Sequence, residues 1–298
     1  MRIGVIGLGS IGLGIAKSAL SGGHEVVGAD LSQAQRNAFA ALGGEATADA
    51  ADAARGADCV FCVVINATQT EAVLFGEGGV AEIMPEGSVF VSCATLPPET
   101  AEQLAARLTG LGRLYLDAPT SGGPAKALTG EITIMGSGAA AAFDKAQPAL
   151  DAVAAKIYRL GDAPGAGSAM KAVNQLLAGV HIAVACEAVS FGVRLGLEPS
   201  QVYEVITGAA GNSWMFENRV PHILEGDYAP KSAVGIFTKD LGIVLDTARA
   251  RQFPVPMASM ALQMFEMTAA AGMVQDDDAS VARLYARIAG LSLPETGD

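Results

Sequence analysis

Positive charge is scarce in this chain. Its 298 residues include 19 lysines and arginines against 31 acidic residues, which gives a formal net charge of −12. A surface of this sign is repelled by the phosphates of nucleic acids and by anionic lipid headgroups. The composition therefore argues against nucleic-acid and membrane partners.

Long uncharged segments are lacking as well. The longest run without a formally charged residue is Ala172–Cys186, with 15 residues, which is shorter than the ~20 apolar residues needed to cross a bilayer. Met1 and Arg2 lead directly into an apolar segment, so we expect no signal peptide. These features predict a cytoplasmic location.

Potential metal ligands and disulfide partners are few. Cys59 and Cys62 lie in an apolar segment that predicts a buried strand, where residues i and i+3 point to opposite faces. They therefore cannot share a metal ion or form an ordinary disulfide. The 3 histidines are far apart in sequence and lack ligand spacing, and the acidic run Asp276–Asp278 is interpreted as a solvated loop that begins a helix. We predict reduced core thiols and no metal site.

A glycine motif follows the first predicted strand, Arg2–Ile6. Its sequence is Gly7-Leu8-Gly9-Ser10-Ile11-Gly12, and a helical segment continues to about Leu20. Between a strand and a helix, GxGxxG is typical of dinucleotide binding. The three glycines permit a tight turn, close approach of a pyrophosphate and close packing of helix on strand. The helix N-terminus supplies unpaired N–H groups for the phosphates.

An acidic residue ends the second predicted strand and indicates which dinucleotide binds. Asp30 comes 18 residues after Gly12, where a carboxylate accepts hydrogen bonds from ribose hydroxyls and would repel a 2′-phosphate. The next residue, Leu31, is not an arginine that could neutralise such a phosphate. We therefore predict NAD in preference to NADP.

Strand-like and helix-like segments continue to alternate through the first half of the chain. A helix is predicted over 32–43, another begins at Pro97, and strands are predicted over 58–65, 88–92, 113–117, 131–135 and 156–159. This alternation predicts an α/β fold with a mostly parallel, doubly wound sheet of the Rossmann type. Ligands bind beyond the carboxyl ends of such strands, which places Asn66, Thr95 and the loop after Asp117 on the cofactor side.

The loop after Asp117 contains Ser121, Gly122 and Gly123. Because these residues lack bulk, their backbone N–H groups and one hydroxyl are able to surround an anion. A plain turn is the alternative interpretation. Beside a dinucleotide site, we favour binding of a substrate carboxylate.

The segment 165–196 is predicted to be one long helix that joins two domains, 1–163 and 164–298. It is apolar on nearly every face and is therefore expected to be buried on nearly every side. Lys171, Asn174 and Gln175 fall within an arc of about 100° and share one face. Lys171 either extends to water at the helix start or directs its amine into a cleft between the domains.

Four motifs in order resemble the β-hydroxyacid dehydrogenase family, of the 3-hydroxyisobutyrate dehydrogenase type. They are GLGSIG at 7–12, DAPTSGG at 117–123, GAGSAMKAVNQ at 165–175 and KDLGIVLD at 239–246. The resemblance implies a Rossmann-type NAD domain, a long inter-domain helix and an all-helical C-terminal domain. It also implies that Lys171 is the general acid/base, that Ser121, Gly122, Gly123 and Asn174 hold a small hydroxy-acid substrate, and that Thr95 and Lys239 line the NAD site.

Within the family, segments 121–135 and 209–244 look most like the L-threonate dehydrogenase branch, which oxidises four-carbon sugar acids. Reactions of 3-hydroxyisobutyrate or of tartronate semialdehyde are the enzymatic alternatives. A non-catalytic NAD-binding redox sensor is a rival of another class, although the lysine, the amide and Ser121–Gly123 argue against it. Because the long helix is apolar all round, we expect a homodimer or homotetramer.

Overall fold

The computed structural model describes residues 1–294. The chain divides into two compact units, Met1–Lys171 and the part from Ala172 onward. This division lies inside the long helix, whereas the predicted domain boundary lies before it, at residue 163. The first turn of the helix belongs to the first unit because the backbone N–H groups of Gly165 and Ser168 donate hydrogen bonds to Asp117.

The first unit contains a six-stranded sheet in which all paired strands are parallel, in the order β3-β2-β1-β4-β5-β6. Its strands are β1 (Arg2–Ile6), β2 (Glu25–Ala29), β3 (Glu45–Thr47), β4 (Cys59–Cys62), β5 (Val89–Ser92) and β6 (Leu114–Asp117). The order reverses between β1 and β4, which is where doubly wound sheets bind dinucleotides. The predicted doubly wound sheet is confirmed.

Helices and apolar side chains cover both faces of this sheet. The helices are α1 (Ser10–Ser21), α2 (Gln33–Ala41), α3 (Ala50–Ala54), α4 (Ala67–Phe75), α5 (Pro98–Thr109), α6 (Gly123–Thr129) and α7 (Ala140–Val153). Cys59 packs in the apolar cluster on one face and Cys62 in the cluster on the other. Both thiols are free and buried, and burial raises the pKa of Cys62 to about 12. The predicted opposite orientation is confirmed.

The last strands of the first unit form a separate sheet, which the sequence analysis did not predict. Its strands are β7 (Thr120–Ser121), β8 (Ile132–Gly136) and β9 (Ala154–Arg159), in that order. Strand β8 pairs with β7 in the antiparallel sense. An antiparallel bridge between Asp117 and Ser137 connects this second sheet to the main sheet. The turn after Asp117 thus starts a new sheet instead of extending the old one.

The second unit is built of helices, as predicted. They are α8 (Ala166–Arg194), which begins in the first unit, α9 (Pro199–Thr207), α10 (Trp214–Glu225), α11 (Val234–Ala250), α12 (Pro256–Thr268) and α13 (Val281–Ala289). Its core is formed by apolar residues of α8 and of the later helices, among them Ile182, Phe216, Phe237 and Phe265. The rings of Phe237 and Phe265 stack with their centroids 5.1 Å apart.

One face of α8 is exposed in the single chain, so the prediction of burial on nearly every side is wrong for that face. Val173, Leu177, Val184 and Phe191 are between 50% and 62% exposed. Steps of 4 and 7 residues keep these side chains on one side of the helix. The face is thus an apolar stripe that the single chain leaves uncovered.

By length and composition alone, α8 is able to cross a membrane. The helix has 29 residues, and 44% of its qualifying 18-residue window is buried in the structure. The 15-residue uncharged run understated this length, because the charges that interrupt the helix, Lys171, Glu187 and Arg194, are widely spaced. Core helices of soluble proteins pass the same test, so the helix is weak evidence for a membrane span.

Candidate active site

The glycine loop between β1 and α1 has the geometry of a dinucleotide site. A Cβ on Gly7, whose φ is 91°, would lie 2.6 Å from the carbonyl oxygen of Val63, and a Cβ on Gly12 would lie 1.8 Å from that of Gly7. Both positions therefore need glycine. A Cβ on Gly9 would meet no atom within 4 Å. The open space at Gly9, next to the start of α1 at Ser10, fits a diphosphate group.

Asp30 is held beside this loop by backbone N–H groups. Its Oδ2 accepts a hydrogen bond from Leu8 N at 2.7 Å, and its Oδ1 accepts one from Ser32 N at 2.8 Å. Arg36, which was not predicted to lie here, donates from its Nη1 to the carbonyl oxygens of Asp30 at 2.7 Å and Leu31 at 2.9 Å. A cation therefore lies against the same turn, five residues after Leu31.

Asn66 and Thr95 follow the carboxyl ends of β4 and β5, at the same sheet edge as the glycine loop. Asn66 also has a local role that was not predicted. It is the N-cap of α4, and its Oδ1 accepts a hydrogen bond from Gln69 N at 2.9 Å. Both side chains are half-buried.

The loop after β6 is partly a strand. Thr120 and Ser121 form β7, opposite Ile134 and Thr133 of β8. The two glycines that follow have positive φ values, 128° for Gly122 and 75° for Gly123. Such φ values favour glycine, and without side chains the backbone of this turn is able to approach a ligand closely.

Lys171 lies on the first turns of α8 and does not extend to water. Lys171 is only 8% exposed. Its Nζ donates a hydrogen bond to the carbonyl oxygen of Thr120 at 2.8 Å. The amine therefore lies next to the segment Ser121–Gly123. The alternative in which Lys171 extends to solvent is wrong.

A buried carboxylate holds the helix start in this position. Asp117, at the end of β6, has no exposed surface. Its oxygens accept hydrogen bonds from Ser168 Oγ at 2.7 Å, Ser168 N at 2.8 Å, Gly165 N at 3.0 Å and Ser137 Oγ at 3.2 Å. Burial raises the pKa of Asp117, and the hydrogen bonds from Ser168 and Gly165 oppose that rise.

A second cluster of polar side chains lies in the helical unit and contains two predicted site residues, Asn174 and Lys239. Asn174 Nδ2 donates to Gln175 Oε1 at 2.8 Å, and Gln175 Nε2 donates to Asp240 Oδ2 at 2.5 Å. Lys239 Nζ forms an ion pair with Asp240 Oδ1. Asp240 was not predicted as part of the site, because its pairing with Gln175 spans 65 residues.

The acidic run near the C-terminus is not a solvated loop, as the sequence analysis expected. Asp277 and Asp278 are both fully buried. Asp277 Oδ1 lies 2.8 Å from His222 Nδ1, and Asp278 Oδ1 accepts a hydrogen bond from Arg219 Nε at 2.6 Å. Burial raises the pKa of Asp278 to about 6. These partners lie on α10, more than 50 residues away in sequence.

Two family models match the chain. Residues 2–161 match the NAD-binding domain of 6-phosphogluconate dehydrogenase. Residues 165–285 match the NAD-binding domain of NADP-dependent 3-hydroxyisobutyrate dehydrogenase. The two matches divide within a few residues of the start of α8.

Individual relatives match over almost the whole chain. L-threonate dehydrogenase of Cupriavidus necator is 52% identical, with 98% of each chain covered. L-threonate dehydrogenase of Haemophilus influenzae is 46% identical, with 99% of this chain and 97% of the relative covered. A crystal structure of 3-hydroxyisobutyrate dehydrogenase from Salmonella typhimurium is 48% identical and superposes with a TM-score of 0.91, covering 95% of this chain and 99% of that one.

Proposed function

We propose that this chain oxidises L-threonate at its C2 hydroxyl to the 2-oxo acid. The chain belongs to the β-hydroxyacid dehydrogenase family, and it is an NAD-dependent oxidoreductase that acts on CH–OH groups. The observation that carries the proposal is the position of Lys171. A buried amine lies against the loop that is suited to a substrate carboxylate. The names of the relatives that are 46% and 52% identical support the choice of L-threonate.

Lys171 is the general base in this proposal. The carbonyl of Thr120 holds its Nζ through a hydrogen bond of 2.8 Å, which limits the freedom of a long side chain. As a neutral amine, Lys171 accepts the proton of the substrate hydroxyl during oxidation, and as an ammonium it returns a proton during reduction. The backbone at Ser121, Gly122 and Gly123 and the amide of Asn174 anchor the substrate.

The residues around the glycine loop fit NAD. The backbone at Gly7, Leu8, Gly9, Ser10, Ile11 and Gly12 would hold the diphosphate in this proposal, and the open space at Gly9 supports that role. Asp30 would accept hydrogen bonds from the adenosine ribose, a role that its position beside the glycine loop supports, and we propose that Asn66, Thr95 and Lys239 complete the site. When bound, NAD supplies the acceptor for the hydride of the carbinol carbon.

A second substrate has support from one comparison. The crystal structure that is 48% identical carries the name 3-hydroxyisobutyrate dehydrogenase. Purified enzyme should oxidise L-threonate with a higher kcat/KM than 3-hydroxyisobutyrate, when the formation of NADH from NAD and of NADPH from NADP is followed by absorbance. Tartronate semialdehyde is tested in the reductive direction with NADH. A higher kcat/KM for either alternative would overturn L-threonate as the substrate, and NAD binding without any turnover would support a redox sensor.

Replacement of Asp30 by alanine should weaken NAD binding and narrow the preference for NAD over NADP. The substitution removes two ribose hydrogen bonds and the negative charge that repels a 2′-phosphate. Calorimetric titration of each cofactor measures both effects. The matched control is Asp52→Ala, which removes an exposed carboxylate elsewhere in the same unit. An unchanged ratio of the two dissociation constants in Asp30→Ala would contradict the role of Asp30.

We also propose that the chain is cytoplasmic and forms a homodimer or homotetramer through the apolar stripe of α8. Substitution of Val184 by glutamate should convert the oligomer into a smaller species, because a charge would be buried at the interface. Val184 is 53% exposed in the single chain, so the subunit fold should survive. Sedimentation velocity compares Val184→Glu with Ser200→Glu, a control at an exposed position of α9. If both variants sediment like the wild type, the stripe is not the interface.

A further inference from the structure

Arg36, near the start of α2, binds the backbone of the turn that leads into this helix. Its Nη1 donates hydrogen bonds to the carbonyl oxygens of Asp30 at 2.7 Å and Leu31 at 2.9 Å, and its Nη2 donates one to Gln33 Oε1 at 2.5 Å. A guanidinium is planar and rigid, so it fixes several acceptors relative to one another. Arg36 thus ties the Asp30 turn, residues 30–32, to α2.

Side-chain packing contributes little to the Asp30 turn. Leu31 is 92% exposed, so its side chain does not anchor the turn in the core. Among the nine residues of α2, only Phe39 is buried, and it lies near the far end of the helix. The turn is therefore held mainly by hydrogen bonds, and Arg36 supplies two that reach its carbonyl groups.

The Asp30 turn also sets the position of the Asp30 carboxylate. Its Oδ2 accepts a hydrogen bond from Leu8 N in the glycine loop, and its Oδ1 accepts one from Ser32 N. Each carboxylate oxygen is able to accept a further bond, as from a ribose hydroxyl. Because hydrogen bonds weaken steeply as their length and angle depart from ideal values, a turn that shifts at the carbonyl of Asp30 would misplace the carboxylate that accepts these bonds.

We infer that Arg36 is a positioning residue that acts through Asp30 and thereby strengthens NAD binding and the preference for NAD over NADP. This inference rests on the proposed function, in which Asp30 binds the adenosine ribose. The competing explanation is that Arg36 is a cation that attracts the phosphates of the cofactor, a 2′-phosphate included. The contacts argue against it, because both terminal nitrogens of the guanidinium already donate to oxygens of the protein.

The two explanations predict opposite changes in cofactor preference. In Arg36→Met, loss of positioning should raise the dissociation constant for NAD about fivefold or more, and that for NADP less than about twofold, because the Asp30 carboxylate repels a 2′-phosphate instead of holding it. Loss of an attracting cation should instead weaken NADP more than NAD, since NADP carries the additional phosphate. Calorimetric titration with NAD and with NADP measures both constants without a substrate. A ratio of the constants that is unchanged, or that moves further toward NAD, would overturn the inference.

Arg36→Lys separates geometry from charge. Lysine keeps the positive charge, but its single amine is unable to reproduce the planar fork of the guanidinium. Positioning therefore predicts that Arg36→Lys narrows the preference for NAD, as Arg36→Met does, and a preference equal to that of the wild type would contradict it. The matched control is Arg113→Met, which removes an arginine that donates to the carbonyl oxygens of Met84 and Glu82 in the same unit. This control should leave both dissociation constants unchanged.

A double-mutant cycle tests whether Arg36 acts through Asp30. In an Asp30→Ala background, Arg36→Met should change the dissociation constant for NAD less than about twofold, because the carboxylate that Arg36 positions is absent. The melting temperature of each variant shows whether the fold is intact. A full fivefold loss in this background would mean that Arg36 acts independently of Asp30, which contradicts positioning.

Amide hydrogen exchange tests the positioning without any cofactor. In 15N-labelled protein, Arg36→Met should increase the exchange rate of the Leu8 N–H about tenfold or more, because this group donates to the Asp30 carboxylate. An unchanged rate would overturn the inference. If Asp30→Ala leaves NAD binding unchanged, the proposed role of Asp30 at the ribose has failed, and the effect of Arg36 on the cofactor fails with it. None of these measurements uses L-threonate, so a different substrate would leave them unchanged.

Discussion

Replacing Lys171 with methionine should lower kcat for oxidation by about 10²–10⁴-fold, the contribution that is typical of a general base. Methionine keeps the apolar length of the side chain and removes the amine that donates to the carbonyl of Thr120. Folding and NAD affinity should therefore be retained. Stopped-flow measurement of NADH formation, at matched NAD occupancy, reports hydride transfer directly and separates it from product release.

The control for this experiment is another lysine that binds a backbone carbonyl. Lys17 Nζ donates to the carbonyl oxygen of Leu128 at 3.1 Å, in an exposed position. Lys17→Met should leave the rate of hydride transfer unchanged. If Lys171→Met also transfers hydride within about threefold of the wild-type rate, another group accepts the proton and the role of Lys171 is structural.

The wild-type enzyme should also show a pH dependence that the variant lacks. An ammonium is unable to accept the hydroxyl proton, so the rate of oxidation should be lower at acidic pH than at alkaline pH. The residual rate of Lys171→Met should not follow the same curve. Identical pH profiles for the two proteins would assign the titrating group to a residue other than Lys171.

Features that depend on neighbours along the chain could be predicted from the sequence. Gly7 and Gly12 were identified from spacing alone, because the turn and the helix packing that exclude a Cβ are local. The main sheet was predicted because each of its strands is a short apolar run that is followed by a helix. The shared face of Lys171, Asn174 and Gln175 followed from the helical repeat.

Features that depend on distant partners could not be predicted in this way. The second sheet was missed because its strand β7 has only two residues, which carry no periodicity. Asp277 and Asp278 were expected to be solvated because their partners on α10, His222 and Arg219, are far away in sequence. An acidic residue in a local pattern predicts exposure unless its buried partner is also known.

The buried role of Asp117 was not predicted from the sequence. Among these variants, Asp117→Ala should cause the largest decrease in the free energy of unfolding. It would leave the buried N–H groups of Gly165 and Ser168 without an acceptor. Each such group costs about 1–3 kcal/mol, so the free energy of unfolding should fall by roughly 2–6 kcal/mol. Thermal and urea denaturation measure this change.

The catalytic effect of Asp117→Ala should exceed the loss of folded protein. Lys171 lies one turn after Ser168, and Thr120 lies three residues after Asp117, so the carboxylate fixes the helix turn against the loop that holds the amine. A misplaced amine slows proton transfer without changing NAD binding. We therefore expect kcat to fall at least tenfold at temperatures where the variant remains folded, with the dissociation constant for NAD unchanged.

Asp117→Asn is the matched variant that distinguishes geometry from charge. Its single carbonyl oxygen is able to accept the bonds from Gly165 N and Ser168 N, and its amide nitrogen is able to donate to Ser168 Oγ, a hydroxyl that donates or accepts. The variant also removes a charge whose burial raises the pKa of Asp117. It should therefore keep most of the stability and most of the kcat. If Asp117→Asn is as impaired as Asp117→Ala, the negative charge itself matters. If Asp117→Ala retains wild-type kcat while folded, Asp117 does not position Lys171.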